Sequence, residues 1–153
     1  MDRQRLVYER LEAMRDLERE GQDVRTRLSR DTLENVAPLA EELGMDAETA
    51  MKVSAGLGGG VGRMREVCGA VTGATLALGL KYGPDKTVVY PKVQELCAKF
   101  KAECGSIVCR ELLAGPDPKA TQGGVPEART PEYYKKRPCA EMVRLAAELC
   151  AGL

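Results

Sequence analysis

The sequence contains no histidine, no tryptophan and a single phenylalanine among its 153 residues. The absence of histidine excludes Ser-His-Asp triads, Cys-His dyads, zinc sites of the H-E-x-x-H and Cys2His2 kinds, and a histidine general base. Any chemistry must therefore depend on cysteine, carboxylate, lysine or arginine side chains, or on a bound cofactor.

The chain also lacks net charge and long apolar segments. Its 23 basic and 23 acidic residues cancel, and a neutral chain without a long basic run predicts no nucleic acid and no membrane surface among its partners. It has no apolar leader segment and no run of about 18 apolar residues, which a membrane span would need. The sequence therefore predicts a cytoplasmic protein whose thiols are reduced.

Apolar residues recur at three- and four-residue steps along most of the chain, which is the period of an amphipathic helix. With no convincing alternating strand and no internal repeat, this pattern predicts a single all-α domain, a small bundle of about five to seven helices. Residues 1–30 predict a charged helix that either lies on its own domain or forms a homodimer through its narrow apolar stripe. Residues 31–153 are predicted to form the helical core.

Local signals give expectations for individual helices. Asp46 is expected to open a short helix that stops before Gly56. A stripe from Met64 to Leu78 predicts a helix that includes Cys68, and the helix of Cys97 is expected to begin around Pro91, as a proline tolerated in the first turn. Pro138 is expected to start the last helix.

A glycine-rich segment runs from Gly56 to Arg63, but its spacing fits neither a G-x-G-x-x-G loop nor a P-loop. Two interpretations stay open, a tight connection between helices or a site where backbone N–H groups contact an anion or sulfur atoms. Under the second interpretation the candidate cofactor-binding residues are Gly58, Gly59, Gly60, Gly62 and Arg63.

The six cysteines divide into two groups. Three of them continue apolar stripes and are expected to be core thiols, namely Cys97, Cys104 and Cys150. The other three have glycine-rich or basic neighbours, which is the setting of a reactive or metal-bound sulfur, namely Cys68, Cys109 and Cys139. Because the chain has no C-x-x-C motif, any sulfur site must be assembled from separate helices.

Several segments carry a resemblance to a known family. They are Glu41 to Ala50, Gly58 to Met64, Glu66 to Ala74, Gly79 to Gly83, Gly105 to Leu113 and Pro138 to Val143. In this order they resemble the redox-active proteins named for their C-GCAxxG-C-C pattern. The resemblance implies an all-α fold and a redox role, and it carries three family cysteines over onto Cys68, Cys109 and Cys139.

Two features depart from that pattern. No cysteine precedes Cys68, so the place of the family's first cysteine falls at Asp31 or near Asn35 and Val36. The central motif has the order Cys68-Gly69-Ala70 where the family pattern has Gly-Cys-Ala. The chain therefore offers three of four family thiolates, unless one of the core cysteines substitutes.

Three functions follow as hypotheses. The first is a redox or metal-binding module in which Cys68, Cys109 and Cys139 hold an iron–sulfur cluster or zinc and exchange electrons with a redox partner protein. The second is a thiol–disulfide switch between two of these cysteines. The third is a helical interaction protein that has lost the site and dimerises through residues 1–30.

Overall fold

The computed structural model describes residues 44–113, 122–128, 130–135 and 137–153, and every structural statement below concerns these ranges. The predicted helix and homodimer arm at residues 1–30 lie outside them. The predicted place of the family's first cysteine, at Asp31 or near Asn35 and Val36, lies outside them as well.

The described chain is helical, which confirms the prediction of a small all-α bundle. Its elements are α1 (Ala47–Ser54), a distorted turn (Gly58–Val61), α2 (Gly69–Tyr82), α3 (Lys86–Cys104), α4 (Cys109–Leu112), α5 (Pro131–Lys135) and α6 (Cys139–Ala151). Within the described ranges, extended pairing is limited to one antiparallel bridge between Val67 and Val108. None of these helices combines the length and the apolar character that crossing a membrane requires.

The core lies among α2, α3 and α6, which pack against one another in pairs. Its largest buried side chains include Phe100, Leu96, Leu78, Val71 and Val143. Helix α2 is able to contact both neighbours closely because it buries a row of small residues, Gly69, Gly73 and Ala77, together with its apolar ones. The core therefore sits between three helices, and two of them, α2 and α6, begin at the same end.

The cysteines expected to be core thiols pack as expected. Cys150 is buried inside the cluster, where its Sγ lies 3.7 Å from the carbonyl oxygen of Ala74, and Cys97 and Cys104 pack against the outside of the cluster. Burial raises the pKa of all three thiols, and that of Cys150 reaches about 11. At neutral pH these three sulfurs are protonated and poor nucleophiles.

Two predicted helix starts are wrong. Helix α3 begins at Lys86, before Pro91, because the Asp85 side chain accepts a hydrogen bond from the backbone N–H of Thr87 at 2.9 Å and caps the helix. Helix α2 begins only at Gly69, so Cys68 is its N-cap residue and lies outside the helix. The reason is the bridge to Val108, which holds Val67 extended.

Pro91 lies in the second turn of α3, where it lacks the N–H that would bond to the carbonyl of Thr87. We expect Pro91→Ala to raise the free energy of unfolding by about 1–3 kcal/mol, because alanine restores that hydrogen bond. Urea denaturation followed by circular dichroism measures the change. Gln94→Ala, at an exposed site one turn further along, serves as control and should change stability by less than about 0.5 kcal/mol. An unchanged or lowered stability of Pro91→Ala would contradict the expectation.

The raised pKa of Cys150 predicts a loss of stability at high pH. Between the ordinary thiol value of 9.0 and about 11, the thiol ionises in the unfolded chain but stays protonated in the folded one. The stabilisation that the protonated thiol gives to the folded state is therefore complete below pH 9 and is lost as the pH rises to about 11. A pKa difference of two units corresponds to about 3 kcal/mol of unfolding free energy. We expect the stability difference between the wild type and Cys150→Ala to shrink by about this amount between pH 8 and pH 11, as measured by denaturant unfolding. A difference that stays constant over this pH range would rule the effect out.

Candidate functional site

A cavity of about 30 Å³ lies at the end of the bundle where α2, α4 and α6 begin. Its wall consists of Gly59, Gly60, Arg65, Cys68, Gly69, Ala70, Cys109, Leu113, Tyr133, Arg137, Cys139 and Val143. The three cysteines with basic or glycine-rich neighbours therefore line one cavity, although they are far apart in the sequence. The three core cysteines do not line it.

Each of these three cysteines stands at the start of a helix. Cys68 is the N-cap residue of α2, Cys109 is the first residue of α4, and Cys139 is the first residue of α6. The N-terminal end of a helix carries partial positive charge, which favours a negatively charged group such as a thiolate. The helices α2 and α6, with 14 and 13 residues, direct this end toward the cavity.

The bridge between Val67 and Val108 fixes Cys68 relative to Cys109. The backbone N–H of Cys68 donates to the carbonyl of Ile107 at 2.8 Å, and the N–H of Cys109 donates to the carbonyl of Glu66. Residues next to a bridged pair lie on the face opposite to it, so Cys68 and Cys109 share one face of this pairing. The two sulfurs therefore approach the cavity from the same side.

Gly105 and Ser106, which precede the bridge in the chain, explain why α4 begins at Cys109. Gly105 ends α3 in the left-handed conformation, with φ +84°, and turns the chain back. The hydroxyl of Ser106 accepts a hydrogen bond from the N–H of Val108 at 2.9 Å and donates one to the carboxylate of Glu111. These contacts hold the segment that leads into α4, whose N-cap residue is Val108 and whose first residue is Cys109.

The glycine turn forms the other side of the cavity. Gly59 and Gly60 adopt φ values of +65° and +69°, and their carbonyls accept hydrogen bonds from the N–H groups of Arg65 and Glu66, both at 3.1 Å. A Cβ atom on Gly60 would lie 2.7 Å from the Cβ of Cys109 and 2.8 Å from the backbone nitrogen of Glu66. Only glycine therefore allows this backbone to pack directly against Cys109.

The predicted cofactor-binding residues separate in the structure. Gly59 and Gly60 line the cavity, whereas Gly58, Gly62 and Arg63 do not. Arg63 instead fastens the loop 122–128, because its Nε donates to the carbonyl of Gly123 at 2.7 Å and its own carbonyl accepts from the Gly123 N–H at 2.9 Å. A cofactor-binding role for these residues stays a prediction.

Two arginines of the cavity wall, Arg65 and Arg137, are not among the predicted site residues, although Arg137 is one of the basic neighbours of Cys139. Arg65 is 3% exposed and adopts φ +61°, a strained backbone for a residue with a side chain. The side chain of Arg137 is 13% exposed, lies 3.3 Å from a carboxylate oxygen of Glu127 and stacks 4.6 Å above the ring of Tyr133. The described wall thus carries two formal positive charges and no carboxylate.

A protein metal site needs at least three suitable side chains grouped around the ion. Among the residues that the structure describes, no three cysteine, aspartate or glutamate side chains are grouped so that they could hold one. As arranged here, Cys68, Cys109 and Cys139 therefore do not fit a zinc ion or an iron–sulfur cluster, which would need further ligands or a rearrangement. A metal role for these cysteines stays a prediction.

The contact of Gly60 with Cys109 can be tested by substitution. We expect Gly60→Ala to lower the free energy of unfolding by at least about 2 kcal/mol, since it adds a clash to left-handed strain, and to raise the alkylation rate of Cys109. Gly62→Ala is the matched control, because it has φ +55° but its Cβ would meet no atom closer than 3.6 Å. Calorimetry and mass spectrometry of alkylated protein give the two readouts. Equal effects of the two substitutions would show that the contact is unimportant.

Comparisons with known proteins identify a family for this chain. Neither a search of curated proteins nor a search of solved structures found a match to this chain. A family model described as "Putative redox-active protein (C_GCAxxG_C_C)" matches residues 35–153, which is well over half of the chain and includes all three cavity cysteines. The chain therefore belongs to the C_GCAxxG_C_C family.

Proposed function

We propose that the protein carries out thiol–disulfide exchange at one site formed by Cys68, Cys109 and Cys139. The observation that carries this proposal is the convergence of three separate helix starts, each with a cysteine, on one small cavity. Membership of a family described as redox-active supports the proposal, and so does the fact that Cys97, Cys104 and Cys150 do not line this cavity.

The three thiols differ in access, and this difference assigns their roles. Cys68 and Cys139 are half-buried, whereas Cys109 is 8% exposed and covered by the glycine turn. An incoming disulfide first meets a thiolate of Cys68 or Cys139, which forms a mixed disulfide and releases one thiol. A second cysteine of the site then attacks the mixed disulfide, so that the protein gains an internal disulfide and a second thiol is released. Two thiols are oxidised and one external disulfide is reduced.

The surroundings favour the thiolate that this reaction requires. The guanidinium of Arg65 is buried at the cavity, and the positive ends of α2 and α6 face it. The apolar side chains of Val143 and Leu113 complete the wall and limit the water that would screen these charges. In the proposed reaction, these positive groups lie beside the sulfur that carries the negative charge, and no histidine is needed.

The pairing of the cysteines can be mapped directly. Full-length protein purified without oxygen is treated with 2-hydroxyethyl disulfide, an uncharged reagent, then alkylated, digested and examined by mass spectrometry. We expect a disulfide within the set Cys68, Cys109 and Cys139, with Cys97, Cys104 and Cys150 recovered as alkylated thiols. The expectation follows from the common cavity of the first set and the raised pKa values of the second.

Substitutions give the control for this mapping. Cys109→Ser should stop the reaction at a mixed disulfide on Cys68 or Cys139 or lower the yield of internal disulfide severalfold, whereas Cys97→Ser should leave the yield unchanged. A disulfide that includes a core cysteine, or no disulfide at all, would overturn the proposal. So would stoichiometric iron or zinc in the purified protein that is lost on replacing any of the three cavity cysteines, since the thiols would then serve as metal ligands.

A further inference from the structure

The wall of the cysteine cavity combines thiols with two arginines, and the proposed exchange reaction does not by itself require a second arginine. Thiol–disulfide exchange needs the cysteines, but the wall also carries Arg65 and Arg137, and its described residues include no carboxylate. Both arginines are largely removed from water, with 3% of Arg65 and 13% of the Arg137 side chain exposed. Charges in such surroundings act more strongly on a ligand than surface charges do.

Other charged groups near the cavity lie outside its wall. Glu127 is paired with Arg137 from the loop 122–128, and its side chain is 43% exposed. Glu66 is paired with Arg110 at 2.8 Å, and both of these side chains are exposed to solvent to a greater extent than the wall arginines. Among the residues that the structure describes, the charged side chains in the cavity wall are therefore those of Arg65 and Arg137.

From this combination we infer that the site selects small, negatively charged sulfur electrophiles, meaning low-molecular-weight disulfides or sulfane-sulfur compounds that carry an anionic group. The anionic group binds toward Arg137 and Arg65, while the electrophilic sulfur meets Cys68 or Cys139. The volume of about 30 Å³ has room for about two water molecules, so it admits only the reacting end of a larger compound. This inference rests on the proposed function, since it names the substrate class of the same cysteines.

A cavity thiolate reacts with a disulfide or with a sulfane-sulfur compound by displacement at sulfur. With a disulfide, the thiolate forms a new S–S bond, the old S–S bond breaks, and a thiolate leaves with the electron pair. With a sulfane-sulfur oxyanion such as thiosulfate, the thiolate takes the outer sulfur to become a persulfide, and sulfite leaves with the electron pair. The mass added to the cysteine distinguishes the two products.

The selection by charge can be measured with a matched pair of reagents. Sulfonatoethyl methanethiosulfonate is anionic and its trimethylammonioethyl counterpart is cationic, and both transfer a thioalkyl group to a thiolate and release methanesulfinate. The rate of each on the full-length protein is divided by its rate on 2-mercaptoethanol, which removes the intrinsic difference between the reagents. We expect the corrected anion-to-cation ratio at the cavity cysteines to be about ten or more, since one favourable charge contact of this kind changes a rate by about tenfold.

Three variants show whether Arg137 sets this ratio. Arg137→Gln should lower the ratio severalfold, and Arg137→Lys, which keeps the charge, should retain most of it. Arg144→Gln is the matched control, because Arg144 lies on α6, seven residues after Arg137, but pairs with Glu141 and Glu148 and does not line the cavity, so this substitution should not change the ratio. Circular dichroism verifies that each variant is folded. In the wild type, addition of sulfate should slow the anionic reagent more than an equal ionic strength of sodium chloride does.

The outcomes separate this inference from the proposed function. A corrected ratio near one in the wild type, or a ratio that Arg137→Gln leaves unchanged, would overturn the charge selection. The proposed function would still stand if the uncharged 2-hydroxyethyl disulfide produced the internal disulfide. If the cavity cysteines failed to react with the charged reagents and with the uncharged one, both proposals would be wrong.

To distinguish the two sulfur sources, glutathione disulfide and thiosulfate are compared as substrates of the wild type. A glutathione adduct or the internal disulfide identifies anionic disulfides as the source, and a gain of one sulfur atom with release of sulfite identifies sulfane-sulfur compounds. Either product supports the inference. The absence of both, under conditions in which 2-hydroxyethyl disulfide reacts, would overturn it.

Discussion

The short antiparallel pairing between residues 66–68 and 107–109 joins two segments that are far apart in the chain, and the rest of the site is built on it. Its two backbone hydrogen bonds determine where α2 and α4 begin, and they place Cys68 and Cys109 on one face. Closing so long a loop costs chain entropy, and the packing of α2 and α3 within the loop, against each other and against α6, offsets this cost. The glycine turn adds a third layer, since Gly60 packs its bare backbone against Cys109.

The three-helix core holds Cys139, the third cysteine of the cavity, in place at the start of α6. Helix α6 buries Val143, Ala146, Ala147 and Cys150 against α2 and α3, so its first residue is directed to the same end of the bundle as the start of α2. The core also divides the cysteines by environment. Burial raises the pKa of the core thiols, whereas helix starts and arginines surround the cavity thiols.

The sequence predicted those features that depend on local signals. The start of α6 and its apolar face were predicted from Pro138 and the helical period, and both are confirmed. The start of α2 was not, because the helical period of Met64 and Val67 continues into a segment that pairs with Val108. In α3, the cap sets the start because the Asp85 side chain accepts the N–H of Thr87, a turn before the proline that the pattern indicates as the start. Arg65 and Arg137 lie close in sequence to Cys68 and Cys139, but their burial in the cavity wall depends on tertiary packing, which no local signal shows.

The order Cys68-Gly69, reversed from the family's Gly-Cys, and the absence of histidine both have a physical explanation at the cavity. Residues 68 and 69 both line it, so exchanging them moves the sulfur from the first helical residue to the N-cap without removing it from the wall. A Cys-His dyad activates its thiol by taking the proton, which an arginine cannot do because it is always protonated. Under the proposed function, Arg65 and the starts of α2 and α6 take this place as fixed positive charges beside the thiols. Under the same proposal, the charges that stand where a histidine would stand are also the ones that attract an anionic substrate.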